Sequence, residues 1–225
     1  MNAGTRPRSG AEAISVVHAD AHLLVLDKPA GLLSVPGRGA DKADCLSARV
    51  QSLYPDALVV HRLDMATSGL IVLARGADLQ RRLSRAFAER EVSKRYVAVV
   101  TGFLEAAATA DGWGLIDLPI AADWPNRPLR IIDFGRGQAS RTRWRVLAHD
   151  PATGTTRVEL EPVTGRSHQL RVHLKALGHP ILGDALYAPP AVQNAAPRLL
   201  LHACGLKLAH PDNGETLEFS SPAPF

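Results

Sequence analysis

The sequence predicts an α+β fold in which a few helices pack on a largely antiparallel, mixed β-sheet. Strand-like apolar runs outnumber helical ones, and they do not alternate regularly with helices as they would in a doubly wound parallel sheet. Hydrophobic residues make up 46% of the 225 positions, which is enough to bury a substantial core. Residues 1–12 are polar, and we expect them to form a flexible tail. We find no internal repeat, and we expect one domain at 13–225.

The first half of the chain is expected to be mostly strand. Predicted strands lie at 14–18, 22–26, 58–60, 70–73 and 96–100, and predicted helices at 44–53 and 77–90. Asp44 is the predicted N-cap of the first helix, and Pro55 ends it. The second helix is predicted from the helical spacing of Leu79, Leu83 and Phe87.

The second half begins with a loop-rich stretch at 102–136 and then returns to strands. Predicted strands lie at 115–120, 141–147, 156–161, 199–201, 205–208 and 216–219, and one helix at 168–177. Leu170, Leu174 and Leu177 form the apolar stripe of that helix, and Gly178 lies at its end.

Positive charge is concentrated in two segments. The formal charge of the whole chain is +4, and residues 75–95 alone carry seven basic and three acidic side chains. A second cluster contains Arg136, Arg141, Arg143 and Arg145, the last three alternating along one strand face. Each cluster alone is compatible with solvated surface charge. Together with Arg127, Arg130, Arg166 and Arg171 they favour a polyphosphate partner, because arginine binds phosphate bidentately.

Several protein classes are excluded. Only two cysteines occur, Cys45 and Cys204, outside any CxxC pair, so neither a disulfide scaffold nor a four-cysteine zinc site is expected. The sequence contains no secretory signal and no run long enough to span a membrane, and we expect a cytoplasmic protein. It contains no GxGxxG, P-loop or HExxH motif, so no cofactor or metal is expected. His168 and His173 are five residues apart, which does not place both on one helical face.

The most informative stretch is HRLDMATSGL at residues 61–70. Apolar strands flank it, which places Asp64 on a loop held by the core, where catalytic groups often lie. A turn in which Asp64, Thr67 and Ser68 satisfy local backbone donors is the alternative.

This stretch resembles the signature of the RluA-type pseudouridine synthases. Four further segments resemble that family in the same order: KPAGL at 28–32, KRYVA at 94–98, GRSHQLRVH at 165–173 and GHPILGD at 178–184. SVPGR at 34–38 and DWPNRP at 123–128 resemble a short subgroup that acts on both ribosomal and transfer RNA. The resemblance implies the pseudouridine synthase fold, a catalytic domain at 13–225, and no separate N-terminal RNA-binding domain.

The implied reaction converts uridine in RNA to pseudouridine without a cofactor or metal. The bond from ribose to N1 of uracil breaks, the base rotates, and ribose is joined to C5. The resemblance makes Asp64 the catalytic carboxylate, which attacks the sugar or the base or removes a ribose proton. It makes Arg171 the ion-pair partner of Asp64, and Tyr96 a residue that stacks on uracil and helps to remove the C5 proton.

The resemblance also implies a set of substrate-binding residues and a partner. Arg62 would fill the space left by the flipped base, and the remaining expected substrate-binding residues are His61, Thr67, Arg166 and Leu200. The partner is RNA, either ribosomal or transfer RNA or both, bound by a monomer with no membrane involvement. Two alternatives stay open: a glycosidic-bond hydrolase with Asp184 as second carboxylate, and a non-catalytic RNA-binding or RNA-chaperone module.

Overall fold

A ten-stranded mixed sheet is the frame of the molecule. The computed structural model describes residues 14–37, 39 and 43–225. The strands of the large sheet are β1 Ser15–Ala19, β2 Leu23–Lys28, β3 Ala57–Val59, β4 Ser68–Arg75, β5 Ser93–Thr101, β6 Gly114–Asp117, β9 Arg141–Asp150, β10 Thr155–Pro162, β11 Leu201–Ala209 and β12 Thr216–Ser220. A separate two-stranded sheet is formed by β7 Ile120–Ala122 and β8 Arg130–Ile132. The helices are α1 Leu46–Gln51, α2 Ala77–Glu89, α3 Gln169–Ala176 and α4 Pro190–Gln193.

The sheet topology confirms the predicted fold class. The order along the large sheet is β1-β2-β4-β11-β5-β10-β9-β6, with β3 pairing with β4 and β12 pairing with β11. Among the described strands, β4 and β11 are the one parallel pair, and every other pairing is antiparallel. The mixed pairing brings the start of β4, which follows the loop with Asp64, directly beside β11.

One glycine makes this close pairing possible. Gly69 on β4 has a φ of +110°, and a Cβ there would lie 2.3 Å from the carbonyl oxygen of Ala203 on β11. A larger residue would therefore push β4 away from β11. The glycine of the HRLDMATSGL stretch thus fixes the strand that carries the loop.

Several predicted elements were wrong in detail. The strands predicted at 199–201 and 205–208 are one strand, β11, with a register shift between Ala203 and Gly205. The β7–β8 hairpin lies in the stretch predicted as loop, because its three-residue strands are too short to show periodicity. The N-cap of α1 is Cys45, whose Sγ accepts from Ala48 N–H, while Asp44 forms an ion pair with Arg49.

Helices α2 and α3 cover the sheet at two different places. Leu83 of α2 packs in a cluster with Leu23, Val25 and Val72. Leu170 and Leu174 of α3 pack in another cluster with β5, β10 and β11. The 1–12 tail and Arg38 lie outside the described residues. None of the helices in the described segments is long and apolar enough to cross a bilayer.

Candidate active site

The loop with Asp64 is anchored on both sides by buried polar side chains. Ser34 Oγ accepts from Leu63 N–H at 3.1 Å and donates to the Leu63 carbonyl at 2.7 Å. On the other side, Lys28 Nζ donates to the carbonyl of Met65 at 3.2 Å. The loop is closed by a bond from Thr67 N–H to the Asp64 carbonyl. The Asp64 side chain, 24% exposed, is therefore held by its neighbours and faces a cavity.

Lys28 is a buried cation at the end of β2. Its side chain is fully buried, and Nζ donates to the carbonyls of Pro29, Leu32 and Met65. Burial lowers the pKa of Lys28 to about 8, and the negative charge of Asp64 opposes that shift. Lys28 therefore stays mostly charged at neutral pH and has one donor for each of the three carbonyls.

Arg171 on α3 lies between two carboxylates. It forms a bidentate pair with Asp184, Nε to Oδ2 at 2.8 Å and Nη2 to Oδ1 at 2.5 Å. Its third nitrogen, Nη1, lies 3.7 Å from Oδ2 of Asp64. The predicted contact between Arg171 and Asp64 is thus present, but Asp184 is the closer partner. Asp184 is fully buried and also accepts from the backbone N–H groups of Leu186 and Tyr187.

His168 lines the cavity beside Asp64, and the buried Tyr187 supports it from behind. His168 precedes α3 with a φ of +59°, a conformation that residues other than glycine seldom adopt. Its Nε2 lies 3.9 Å from Oδ2 of Asp64, and its Nδ1 is hydrogen-bonded to Tyr187 Oη at 2.6 Å. Burial lowers the pKa of His168, so the ring is neutral at neutral pH. The strained backbone places the ring between the carboxylate and the tyrosine.

Tyr96 and Leu201 form an apolar part of the cavity. Tyr96 on β5 packs against two core clusters, and Leu201 on β11 lies on the same sheet face because it pairs with Ala98. The aliphatic residue that lines the cavity is Leu201 rather than the predicted Leu200. Leu200 lies just before β11, packs on the core cluster that contains Leu201, and donates its N–H to the carbonyl of Leu182. Burial raises the pKa of Tyr96, as does the charge of Asp64, so its phenol stays protonated.

His61 and Thr67 border the cavity but are held by the core. His61 Nε2 accepts from Val72 N–H at 2.9 Å, and its ring stacks on Phe87 with centroids 4.1 Å apart. Burial lowers the pKa of His61 to about 3, which keeps the ring neutral and able to accept. Thr67 is buried beside Asp64. Their predicted role in substrate binding stays a prediction, and their visible contacts support the loop.

The cavity of about 490 Å³ above Asp64 is rimmed by cations. Besides Arg171, the cationic side chains that line it are Arg62, Arg90, Lys94 and Arg166. In the described part of the chain none of these four has a carboxylate within 4 Å, and Asp64 is the only carboxylate that lines the cavity. An excess of unpaired positive charge around a cavity attracts a polyanion.

The other basic side chains are mostly neutralised. In the 75–95 segment, carboxylates pair with Arg75, Arg81, Arg85 and Arg95. Arg82 donates to the carbonyl of Pro211, and of the seven basic residues Arg90 and Lys94 line the cavity. Arg143 and Arg145 pair with Glu161 and Glu159. Register places these pairs on the sheet face opposite Tyr96, because Glu159 neighbours Val97 while Tyr96 neighbours Leu160. The free positive charge of the two clusters is therefore smaller than their arginine content suggests, and their part in binding a polyphosphate stays a prediction.

The histidines considered as metal ligands have other partners. His173 is hydrogen-bonded to Thr142 Oγ1 and to the carbonyl of Leu118, and His168 is bonded to Tyr187. Among the described residues, Asp20, His22 and His210 do lie within ligand distance of one another. That cluster lies at the start of β2, whereas Lys28 and the Asp64 loop lie at its end.

The fold and this cavity define an RNA-modifying enzyme, and comparison with known proteins gives its family. The chain belongs to the RNA pseudouridylate synthase family, whose profile matches residues 22–176. It is 50% identical over 210 residues to the dual-specificity RNA pseudouridine synthase RluA of Escherichia coli K12, covering 93% of each chain. The protein of the same description from Yersinia pestis is 49% identical over 210 residues, covering 93% of this chain and 99% of that one.

Solved structures agree with this membership. Human RNA Pseudouridylate Synthase Domain Containing 1 matches with a TM-score of 0.79 and 29% identity, over 98% of this chain and 87% of that chain. Human RNA Pseudouridylate Synthase Domain Containing 4 matches with a TM-score of 0.72 and 27% identity, over 93% and 88%. The predicted family, fold and isomerase activity are confirmed.

Some site residues were not singled out from the sequence. Asp184 was considered only as a second acid for hydrolysis, whereas it is the buried partner of Arg171. Lys28 and Tyr187 had no predicted role, although KPAGL was noted as a motif. Lys28 ends a strand that begins with four buried apolar residues, and a cation at the end of such a strand was a usable signal, because an isolated buried cation needs several acceptors.

Proposed function

We propose that this RNA pseudouridine synthase isomerises uridines in ribosomal RNA and in the anticodon stem-loop of a transfer RNA, with Asp64 as the essential carboxylate. The observation that carries the assignment to Asp64 is its position: it is the one carboxylate among the described residues that faces the cavity, held beside Arg171 and below unpaired cations. The dual-specificity description of the bacterial relatives supports two RNA classes.

The surroundings of Asp64 suit a carboxylate that reacts as an anion. Arg171 provides a positive charge at 3.7 Å without a close bidentate contact, so the Asp64 oxygens stay available to ribose or uracil. Asp184 takes the two close hydrogen bonds and fixes the guanidinium plane. We therefore assign Asp64 to chemistry, Arg171 to charge stabilisation, and Asp184 to positioning of Arg171.

The other lining residues divide between binding and support. Tyr96 and Leu201 offer flat apolar surface to a uracil ring, and the protonated phenol of Tyr96 is suited to stacking rather than to acting as a resting phenolate base. We assign Arg62, which is exposed and two residues before Asp64, to the space in the stack that the flipped uridine leaves. We assign Arg166, which lines the cavity, to phosphate binding at its rim.

The two alternatives fit the structure poorly. A hydrolase would need a second carboxylate facing the substrate. Asp184 cannot serve, because it is fully buried and accepts four hydrogen bonds from Arg171 and two backbone N–H groups. A purely RNA-binding module would not need the neutral His168 and buried Asp184 around Arg171. We further propose that the enzyme acts as a cytoplasmic monomer.

The test is isomerisation itself. The purified chain is incubated with transcripts containing [5-³H]uridine, either an anticodon stem-loop or a ribosomal RNA fragment, and tritium released from C5 is counted. We expect release from both RNA classes, at few sites that are then mapped by sequencing. Free uracil in the product would instead indicate hydrolysis. RNA binding without tritium release or free uracil would indicate a binding module.

A further inference from the structure

A second cavity adjoins the one above Asp64. It has a volume of about 440 Å³ and shares Gly165 and Arg166 with the first cavity. Its remaining walls come from β7, from the loop with Trp124, and from Arg130, Arg136, Gln138 and Ser167. The reaction at Asp64 requires one nucleotide in the first cavity, so the second cavity has no role in the chemistry described above.

Arg130 supplies an unused cation to this second cavity. Its Nε is buried and has no hydrogen-bond partner among the described residues, and no carboxylate there lies within 4 Å of its guanidinium. Its backbone N–H donates to Tyr187 Oη at 2.9 Å, which ties β8 to the wall beside Asp64. Arg136, in contrast, is paired with Asp133. A buried guanidinium N–H without an acceptor is costly, so an acceptor from a ligand would be favoured here.

Trp124 supplies a flat surface at the mouth of the same cavity. Its side chain is 67% exposed, which is unusual for the largest apolar residue type. The guanidinium of Arg127 lies 3.4 Å from the ring centroid and covers one face of the indole. The arrangement leaves the indole fixed by its own arginine and ready to stack on a second planar group.

We propose that the second cavity binds the base and phosphate of a nucleotide next to the target uridine, a proposal that rests on the RNA substrate of the proposed function. Trp124 stacks on the neighbouring base, Arg130 donates to its phosphate oxygens, and Arg166 contacts the phosphodiester that joins the two nucleotides. The enzyme thereby holds two consecutive nucleotides out of the RNA stack. Target choice then depends on the neighbouring position as well as on the uridine.

The experiment pairs protein variants with modified RNAs. Wild type, Trp124→Ala and Arg130→Gln are assayed for tritium release on a stem-loop that the wild type modifies, and on the same stem-loop with an abasic site either 5′ or 3′ of the target. Trp113→Ala and Lys207→Gln are matched controls, because Trp113 stacks on Arg143 and Arg145 and Lys207 pairs with exposed Glu218. Thermal melting confirms that each variant is folded.

We expect one of the two abasic RNAs to lower kcat/KM of the wild type by about tenfold, in the range that base–aromatic stacking contributes. Trp124→Ala should lose a similar factor on the intact RNA and nothing more on the abasic RNA, since both changes remove the same contact. Arg130→Gln should lose about tenfold on all three RNAs, mainly through KM. The two controls should behave as wild type.

Two results would overturn the proposal. One is wild-type kinetics for Trp124→Ala and Arg130→Gln on intact RNA. The other is a loss of kcat/KM for Trp124→Ala on the sensitive abasic RNA that equals the product of the two separate losses, because independent effects would mean that the indole and the base do not contact each other. Failure of the proposed function looks different, because wild type would then release no tritium from any RNA.

Discussion

Replacing Asp184 by asparagine tests whether this carboxylate positions Arg171. The substitution keeps the shape of the side chain and the two backbone bonds to Oδ1, from Leu186 and Tyr187. It places an amide N–H₂ opposite the Nε–H of Arg171, where Oδ2 now accepts at 2.8 Å. One charge-assisted hydrogen bond, worth about 1.5–3 kcal/mol, is replaced by two facing donors. Asp184→Ala removes the buried counter-charge entirely, which costs about 3–5 kcal/mol.

We therefore expect the free energy of unfolding to fall by about 2–3 kcal/mol in Asp184→Asn and by more in Asp184→Ala, measured by urea denaturation. The guanidinium would turn towards Asp64, now its only carboxylate partner among the described residues, so kcat for tritium release should fall about tenfold to a hundredfold with little change in KM. Asp56→Asn is the control, since Asp56 pairs with Arg75 at the surface and such pairs contribute about 1 kcal/mol or less. Asp184→Asn with wild-type stability and kcat would refute the positioning role.

Three further predictions concern pH and salt. Burial lowers the pKa of His61 from 6.5 to about 3, so the unfolded state binds more protons and the free energy of unfolding falls as the pH drops through this window. Between pH 7 and 4.5 this fall, measured by urea denaturation at both pH values, should be about 2 kcal/mol smaller in His61→Gln than in wild type. Equal falls in the two proteins would contradict the prediction. Lys28 loses a hydrogen-bond donor above its pKa of about 8, so kcat should decline above pH 8 both in wild type and in the control Lys94→Gln. The free energy of unfolding should rise over the same range, because the lowered pKa of Lys28 makes the unfolded state the better proton binder. A kcat that stays constant up to pH 9.5 would contradict the prediction. In filter-binding assays, Arg166→Gln and Arg90→Gln should each reduce the slope of log Kd against log salt concentration by about 1. Arg81→Gln should leave the slope unchanged, because Arg81 is paired with Asp78. Equal slopes in all three variants would contradict the prediction that the cations lining the cavity bind the RNA.

The larger elements could be predicted because their patterns are local. The apolar runs around Val25 and Val72 and the helical stripe with Leu83 are legible in the sequence, since burial on one face imposes a period. The hairpin of β7 and β8 could not be predicted, because three-residue strands show almost no alternation. Asp44 was predicted as the N-cap of α1, whereas Cys45 is the N-cap and Asp44 forms an ion pair with Arg49. Which of the two neighbouring residues is the N-cap depends on the residue at which the helical backbone begins, and residue type alone does not fix that.

The site could be predicted as far as the motifs reached. Asp64, Tyr96 and Arg171 do lie at one cavity, although three distant segments carry them. The pairing of Arg171 with Asp184 could not be predicted from the sequence, because it depends on which of two carboxylates helix α3 faces more closely.

The distribution of unpaired charge could not be predicted either. Net charge in a segment says nothing of pairing, and opposing glutamates on β10 neutralise Arg143 and Arg145 across the sheet.

The central claim is that the carboxylate of Asp64 performs the isomerisation while the cations around it bind the RNA. The most direct measurement compares Asp64→Asn with wild type for tritium release from [5-³H]uridine in a stem-loop under single-turnover conditions, and for Kd on the same RNA. This substitution keeps the loop and every cation that lines the cavity, and Asp56→Asn serves as the matched control. The account predicts no detectable release by Asp64→Asn with a Kd within a few-fold of wild type. Release within tenfold of the wild-type rate would contradict it.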